Sequence, residues 1–292
     1  MFSSATLSER TGARVFLKAE LFQKTGSFKP RGVLNNLAAL SPEQRANGVI
    51  SISAGNHAQA LAWGAAAEGI DALILMWQGA SEAKIEATRG YGATVDLEAA
   101  DPAEAFERLA TLQDETGRKL VHPFDHPLTI AGQGTVGLEV VEDLRETTTI
   151  VVPVGGGGLI SGIALAAQGR RVIGVEPELS PALHEALAAG KPVPVTPRSI
   201  ADGLSAPFAG RHGLEICREH VDSVALVTED EIHAGMRFLY TRAKLACEAA
   251  AAVPVAALLA NKILVAKGET VVAIVSGGNI ATETAVAILA GA

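Results

Sequence analysis

Short apolar runs rich in β-branched residues alternate with longer stretches of helical spacing along the whole chain. Residues 15–20 alternate apolar and polar side chains and predict a strand. Beyond it, Ser27 is placed as an N-cap and Pro30 in the first turn of a helix that buries Val33, Leu34, Leu37 and Leu40. The pattern then predicts strands at 48–53, 72–77 and 93–97, a short closing segment at 119–122, and helices at 56–68, 81–89 and 102–115. A second group follows, with strands at 148–154, 171–176, 224–228 and 270–276. Its helices fall at 130–144, 159–168, 181–189, 228–245, 250–267 and 279–289, with Thr228 and Glu231 forming a capping box and 191–198 a proline-broken loop. Strands and helices in this alternation imply mostly parallel sheets covered on both faces.

Several strand-to-helix junctions carry chemistry. Residues 24–32 read Lys-Thr-Gly-Ser-Phe-Lys-Pro-Arg-Gly, where Gly26 permits a sharp exit from the strand. Lys29 falls on the first turn of the helix, beside Arg31, where the positive end of the helix dipole lowers the basicity expected of its amine. That environment suits a lysine that attacks a carbonyl, although a solvated lysine in a helix cap satisfies the same pattern. Residues 53–57, Ser-Ala-Gly-Asn-His, turn from strand to helix and offer backbone N–H groups to an anion. Taken alone, these residues favour an ordinary turn in which Asn56 or His57 bonds neighbouring backbone. Gly155, Gly156, Gly157 and Gly158 follow a strand and let backbone N–H groups converge on phosphate oxygens. A dinucleotide fingerprint, with Glu176 near the ribose-binding distance, fails on glycine spacing, because Ile160 or Ser161 stands where a third glycine belongs. Ser276-Gly277-Gly278-Asn279 ends the last strand in a similar turn.

Composition narrows the setting. At 292 residues the chain can hold one large domain or two modest ones, and its 48% hydrophobic content and mean hydropathy of +0.27 come mostly from alanine and aliphatics. No apolar span reaches membrane length: residues 249–260 are short and contain Pro254. A net charge of −8 without a basic block argues against nucleic acid. Cys217 and Cys247 form no metal or redox motif, and the chain opens without a secretory signal, so a cytoplasmic location is expected.

Taken with its surroundings, S-F-K-x-R-G at 27–32 resembles the cofactor-lysine motif of the fold type II (tryptophan synthase β-like) pyridoxal-phosphate enzymes, nearest the threonine/serine dehydratases and serine racemases. The resemblance covers nearly the whole chain. It implies an α/β fold of two open twisted sheets, with a small domain (48–125) inserted in a large one (1–47 and 126–292). It implies pyridoxal 5'-phosphate as cofactor, carried on Lys29 beside Phe28. Gly155, Gly156, Gly157, Gly158 and Leu159 would hold its phosphate, Ser276 would face its ring nitrogen and Asn56 would reach its hydroxyl. Gly203 and Glu248 would lie against it. Ser53, Ala54, Gly55, Asn56 and His57 would hold the substrate carboxylate, with Phe124, in His122-Pro123-Phe124-Asp125, and the glycine-rich 131–135 segment completing the dehydratase pattern. Ala54 stands where racemases carry a second serine, which favours dehydration over racemisation. Glu176 matches the first ligand of the family's divalent-cation site, but Ala182 replaces the expected aspartate, so a divalent or monovalent cation stays open. The implied activity is loss of the β-hydroxyl and amine of L-threonine or L-serine as water and ammonia, in a homodimer or homotetramer. A 3-hydroxyaspartate dehydratase, a serine racemase and a non-catalytic amino-acid-binding module are the alternatives. Relatives of this kind usually carry a Thr-Pro-Leu segment ahead of this point, which is missing from these residues, and since the sequence stops soon after the last helix no regulatory domain is expected.

Overall fold

The computed structural model describes residues Met1–Gly291, leaving aside the side chains of residues 102 and 103. The chain opens with β1 (Phe2–Ser3), α1 (Ala5–Thr11) and β2 (Arg14–Ala19), then passes through two short 3-10 turns into α2 (Pro30–Ala38) and α3 (Pro42–Asn47). Next come β3 (Val49–Ile52), α4 (Asn56–Ala67), β4 (Ala72–Trp77), α5 (Glu82–Gly90), β5 (Thr94–Ala99), α6 (Pro102–Thr116) and β6 (Lys119–Leu120). They are followed by α7 (Pro127–Asp143), β7 (Thr149–Pro153), α8 (Gly158–Ala166), β8 (Arg171–Pro177), α9 (Ala182–Ala189) and α10 (Arg211–His220). The last elements are β9 (Ser223–Val227), α11 (Glu229–Phe238), α12 (Ala249–Leu259), β10 (Thr270–Val275) and α13 (Thr282–Ala290).

Contacts divide the chain into one unit of Met1–Phe28 with Gln133–Ala292 and another of Lys29–Gly132. The smaller unit extends past the expected 48–125 at both ends. One reason is that α2 packs on α4: a Cβ on Gly64 would lie 3.0 Å from Val33 and 3.2 Å from Leu37.

The larger unit holds a six-stranded sheet in the order β1-β2-β10-β7-β8-β9, parallel except for the antiparallel edge strand β1. The pleat sends Val271, Ala273 and Val275 into one core, with α1, α11 and α12, and Val272 and Ile274 into the other, with α7, α8 and α10. Both faces are dry, which is why these strands read as continuous apolar runs. The smaller unit holds a four-stranded parallel sheet in the order β5-β4-β3-β6, again with apolar clusters on both faces.

In each sheet the chain reverses direction across one pair of neighbouring strands. In the larger one, β7, β8 and β9 step outward and β10 returns on the far side of β7. In the smaller one, β3, β4 and β5 step outward and β6 returns on the far side of β3. Such reversals leave a crevice at the carboxyl ends of the two strands, where α/β sheets bind ligands.

Three helices, α1, α3 and α10, have no counterpart in the sequence pattern. Elsewhere several boundaries move. The first cap is Lys29, not Ser27, which is fully buried and forms a bridge with Gly277. Val33 and Leu37 are buried, but Leu34 is exposed and Leu40 lies beyond the end of α2. Ser81 stands at the N-cap of α5 without a side-chain bond to it. The Thr228–Glu231 capping box is present, yet its helix gives way to a π turn at Leu239–Ala243 and stops at left-handed Lys244. α12 ends at Leu259, where Asn261 is left-handed, rather than running to 267. α13 begins at Thr282, because Gly278 and Asn279 are bonded to Gly26 and Thr25 instead of continuing a helix. Among the described residues no helix is long and apolar enough to cross a membrane. Both cysteines are free and buried, burial pushing their thiols up to about 11 (Cys217) and about 12 (Cys247).

Candidate active site

In the larger unit, the reversal between β7 and β10 sets two glycine-rich turns side by side. Ala273 pairs with Val151, and carrying that register on places Ser276 level with Val154, next to Gly155. Gly157 has φ +92° and caps α8, whose first turn has no acidic side chain. The leading N–H groups of a helix have no acceptor within it, so this turn presents donors to an anion. The turn is also tightly walled: a Cβ on Gly155 would lie 3.1 Å from Leu204 Cα, and Gly210 N donates to the Gly156 carbonyl at 3.0 Å.

From there a continuous series of contacts gathers the other expected residues of this unit. Leu204 adjoins Gly203, where a Cβ would meet Ala250 Cβ at 3.0 Å and the Glu248 carboxylate at 3.3 Å. Glu248 is the N-cap of α12 and donates its own N–H to the Gly277 carbonyl at 3.1 Å. Ser276 precedes Gly277 and accepts from Phe28 N at 3.1 Å. The glycine turn at 155–158, Ser276 and the residues Gly203 and Glu248 therefore share one end of one sheet. The donors at 155–159 and the neutral hydroxyl of Ser276 fit the phosphate and the ring nitrogen of the cofactor that the resemblance implies.

In the smaller unit, the reversal lies between β3 and β6, so the turn after each strand faces the same crevice. Ser53 Oγ accepts from Gly55 N at 3.2 Å, and Gly55 is the N-cap of α4, which begins at Asn56. A Cβ on Gly55 would meet nothing within 4 Å, so open space adjoins this backbone. Ala54 is partly buried against the core. After β6, the His122 and Phe124 rings stand edge to face with centroids 4.7 Å apart. Lys29 Nζ donates to the Pro123 carbonyl at 2.8 Å. The amine at the cap of α2 is thus held against the 122–125 turn, a partnership that the sequence does not announce.

The side chains of two expected site residues have partners within the fold. His57 is 2% exposed; its Nε2 lies 3.1 Å from Ser51 Oγ and 3.0 Å from the Val121 carbonyl. Its ring therefore packs into the small unit, and only its backbone at the start of α4 remains suited to a carboxylate. Burial, then the charge of Lys29, lowers its pKa to about 3. A base whose pKa falls on folding withholds protons from the native state, so stability is complete above the unfolded value of 6.5 and declines as pH falls toward 3. Between about pH 7.5 and about pH 5 His57 by itself should withdraw about 2 kcal/mol of stability, while Glu176, raised by burial, acts in the opposite direction. Urea unfolding of wild type and His57→Gln across that range tests it: the stability difference between the two should shift by about 2 kcal/mol in favour of the variant as pH falls, and the same pH dependence in both proteins would refute the assignment.

Glu176 is the second. It is fully buried, and its two oxygens accept from Leu183 N and His184 N, each at 2.8 Å, so the carboxylate caps α9. Burial pushes its pKa up to about 8, against the pull of those two bonds. Among the described residues no group of three or more histidines, cysteines or carboxylates could hold a metal ion.

Similar proteins are known. An L-threonine ammonia-lyase of Thermotoga maritima is 46% identical over 282 residues, spanning 95% of this chain and 70% of that protein. The structure of maize serine racemase superposes with a TM-score of 0.93 at 37% identity, covering 97% of this chain and 88% of that one. The threonine deaminase from T.th. gives a TM-score of 0.89 at 38% identity, covering 96% of this chain and 92% of that one. The family model for pyridoxal-phosphate dependent enzymes matches residues 1–277, a stretch that includes Lys29, the glycine cradle and Ser276, and with it the chain belongs to that family.

Proposed function

We propose that this protein is a pyridoxal-phosphate lyase that converts L-threonine, L-serine or both to a 2-oxo acid and ammonia. The observation that carries this reading is the likeness to an L-threonine ammonia-lyase across nearly the whole chain, together with Lys29 at the cap of α2. The bound cofactor supplies an electron sink for the pair left behind when the α-proton is removed. Lys29 would hold the cofactor and, with its amine free, would take the α-proton on Nζ as general base. Backbone N–H groups from 155 to 159 hold the phosphate. The turn at 53–57 would bind the substrate carboxylate through the start of α4, and Asn56 would reach the cofactor hydroxyl. Ser276 offers a neutral hydroxyl to the ring nitrogen, which cannot protonate it as an aspartate would, and this favours prompt loss of the β-hydroxyl. The β-hydroxyl leaves as water, and water is taken up again as ammonia departs, so atoms balance. A homodimer or homotetramer in the cytoplasm belongs to the same reading.

Similarity to a serine racemase gives a second reading weight, but Ala54 has no hydroxyl with which to reprotonate the opposite face. One experiment separates the two. The purified protein, saturated with cofactor, is incubated with L-threonine, L-serine and 3-hydroxyaspartate; 2-oxo acid is measured and recovered serine is resolved by chirality. Rapid 2-oxo acid from threonine or serine with the residual serine still L is expected. D-serine without 2-oxo acid would favour the racemase, and turnover of 3-hydroxyaspartate alone would move the substrate.

A further inference from the structure

In the smaller unit a set of hydrogen bonds, joined through the backbone of residues 122–125, makes a circuit that begins and ends on α2. At one end Lys29, the N-cap of α2, donates from Nζ to the Pro123 carbonyl at 2.8 Å. At the other end Asn36, buried two turns along the same helix, donates to Thr129 Oγ1 at 3.0 Å and to the Gly32 carbonyl at 2.7 Å. Thr129 Oγ1 donates in turn to the His122 carbonyl at 3.0 Å. The remaining link is the His122 ring, whose Nδ1 accepts from Phe124 N at 3.2 Å and from Asp125 N at 2.8 Å. Both partners are backbone donors, so Nδ1 carries no proton and the ring is the Nε2–H tautomer. An acceptor reaching the N–H groups two and three residues ahead folds a turn, as an asparagine does in an Asx turn. The Pro123 carbonyl sits inside that turn.

We propose that His122 is a positioning residue for Lys29. By accepting two backbone N–H groups it folds the turn that aims the Pro123 carbonyl at the amine. The Asn36–Thr129–His122 bonds then lock that turn to the helix Lys29 caps. This deepens the reading of Lys29 as the cofactor-bearing base and rests on it. The circuit holds the amine in one place while it is not bonded to cofactor, where an ångström of misplacement costs up to about 100-fold in rate.

His122→Leu removes the acceptor at similar bulk, whereas His122→Asn keeps an oxygen where Nδ1 stands. The expected result is a kcat on L-threonine about 10-fold to 100-fold lower in His122→Leu, KM within about twofold of wild type, and recovery of most of the rate in His122→Asn. A second readout needs no turnover. In full-length protein stripped of cofactor, Lys29 is methylated with formaldehyde and cyanoborohydride and compared by mass spectrometry with the exposed Lys191 of the same sample. A carbonyl acceptor stabilises the protonated amine, so its displacement should make Lys29 several-fold faster to label in His122→Leu and not in His122→Asn. If His122→Leu does not fold, Thr129→Val, which cuts the bond to the His122 carbonyl, carries the same expectation. Unchanged kcat and unchanged Lys29 labelling in the folded variant, or equal damage in His122→Asn and His122→Leu, would overturn the proposal. Wild-type protein that releases no 2-oxo acid from any amino acid would defeat the functional reading alone, since the labelling comparison still decides what His122 does.

Discussion

Lys29→Ala protein should stay colourless when saturated with pyridoxal 5'-phosphate and should release 2-oxo acid from L-threonine at least about 10⁴-fold more slowly than wild type. The loss is chemical rather than structural. Lys29 makes no side-chain capping bond to α2, and the first turn of that helix is set by Pro30. The Pro123 carbonyl that accepts from its amine can be served equally well by water in the crevice. Unfolding by urea should therefore differ from wild type by no more than about 1 kcal/mol, the usual scale of a single exchanged bond. A visible absorbance band and a rate scan on the same preparation separate the two effects. A variant that folds, stays yellow and turns over would place the cofactor lysine elsewhere.

The second large effect is expected from one methyl group. Gly132 lies on α7 where that helix crosses α2, and a Cβ there would come within 2.5 Å of the Arg31 carbonyl oxygen and 2.6 Å of Gly32 Cα. Both neighbours are backbone, so no rotamer change relieves the clash. Gly132→Ala must drive α2 away from α7, and α2 carries both Lys29 at its cap and Asn36 inside the circuit that fixes it. Overpacking of this kind should cost about 3 kcal/mol or more in urea unfolding, and activity should fall with it. Gly90→Ala is the control: its Cβ would meet nothing within 4 Å and its φ is not left-handed, so a change within about 0.5 kcal/mol is expected. Equal stability in the two variants would show that the helix crossing is looser than the structure depicts.

What the sequence made legible follows from how local each cause is. The strands of both sheets announce themselves because residues such as Ile150–Val152 and Val271–Ile274 are buried on both faces, and the Thr228 capping box needs only residues three apart. The glycine cradle is legible for the same reason, since a left-handed Gly157 and a wall at Gly155 permit little else. Where distant partners decide, local reading misleads. Ser27 has the chemistry of a cap, but Gly277, brought in by β10, takes it into a bridge. Glu176 has the chemistry of a ligand, but α9 draws it to its N-terminus, and the ring of His57 is taken by Ser51 and Val121, partners that only the fold supplies. The border at Lys29 depends on α2 meeting α4 and α7, which no window of sequence contains. The Pro123 carbonyl could not be foreseen, because any residue supplies a carbonyl and only the fold says which one meets an amine.

Lys29 as the residue that takes the cofactor is the claim on which the rest depends, and peptide mapping tests it directly. Protein saturated with pyridoxal 5'-phosphate is reduced with borohydride, digested and examined by mass spectrometry. One phosphopyridoxyl group per chain, on the peptide containing Lys29, is the predicted result; no fixed group, or one on a different lysine, would contradict it.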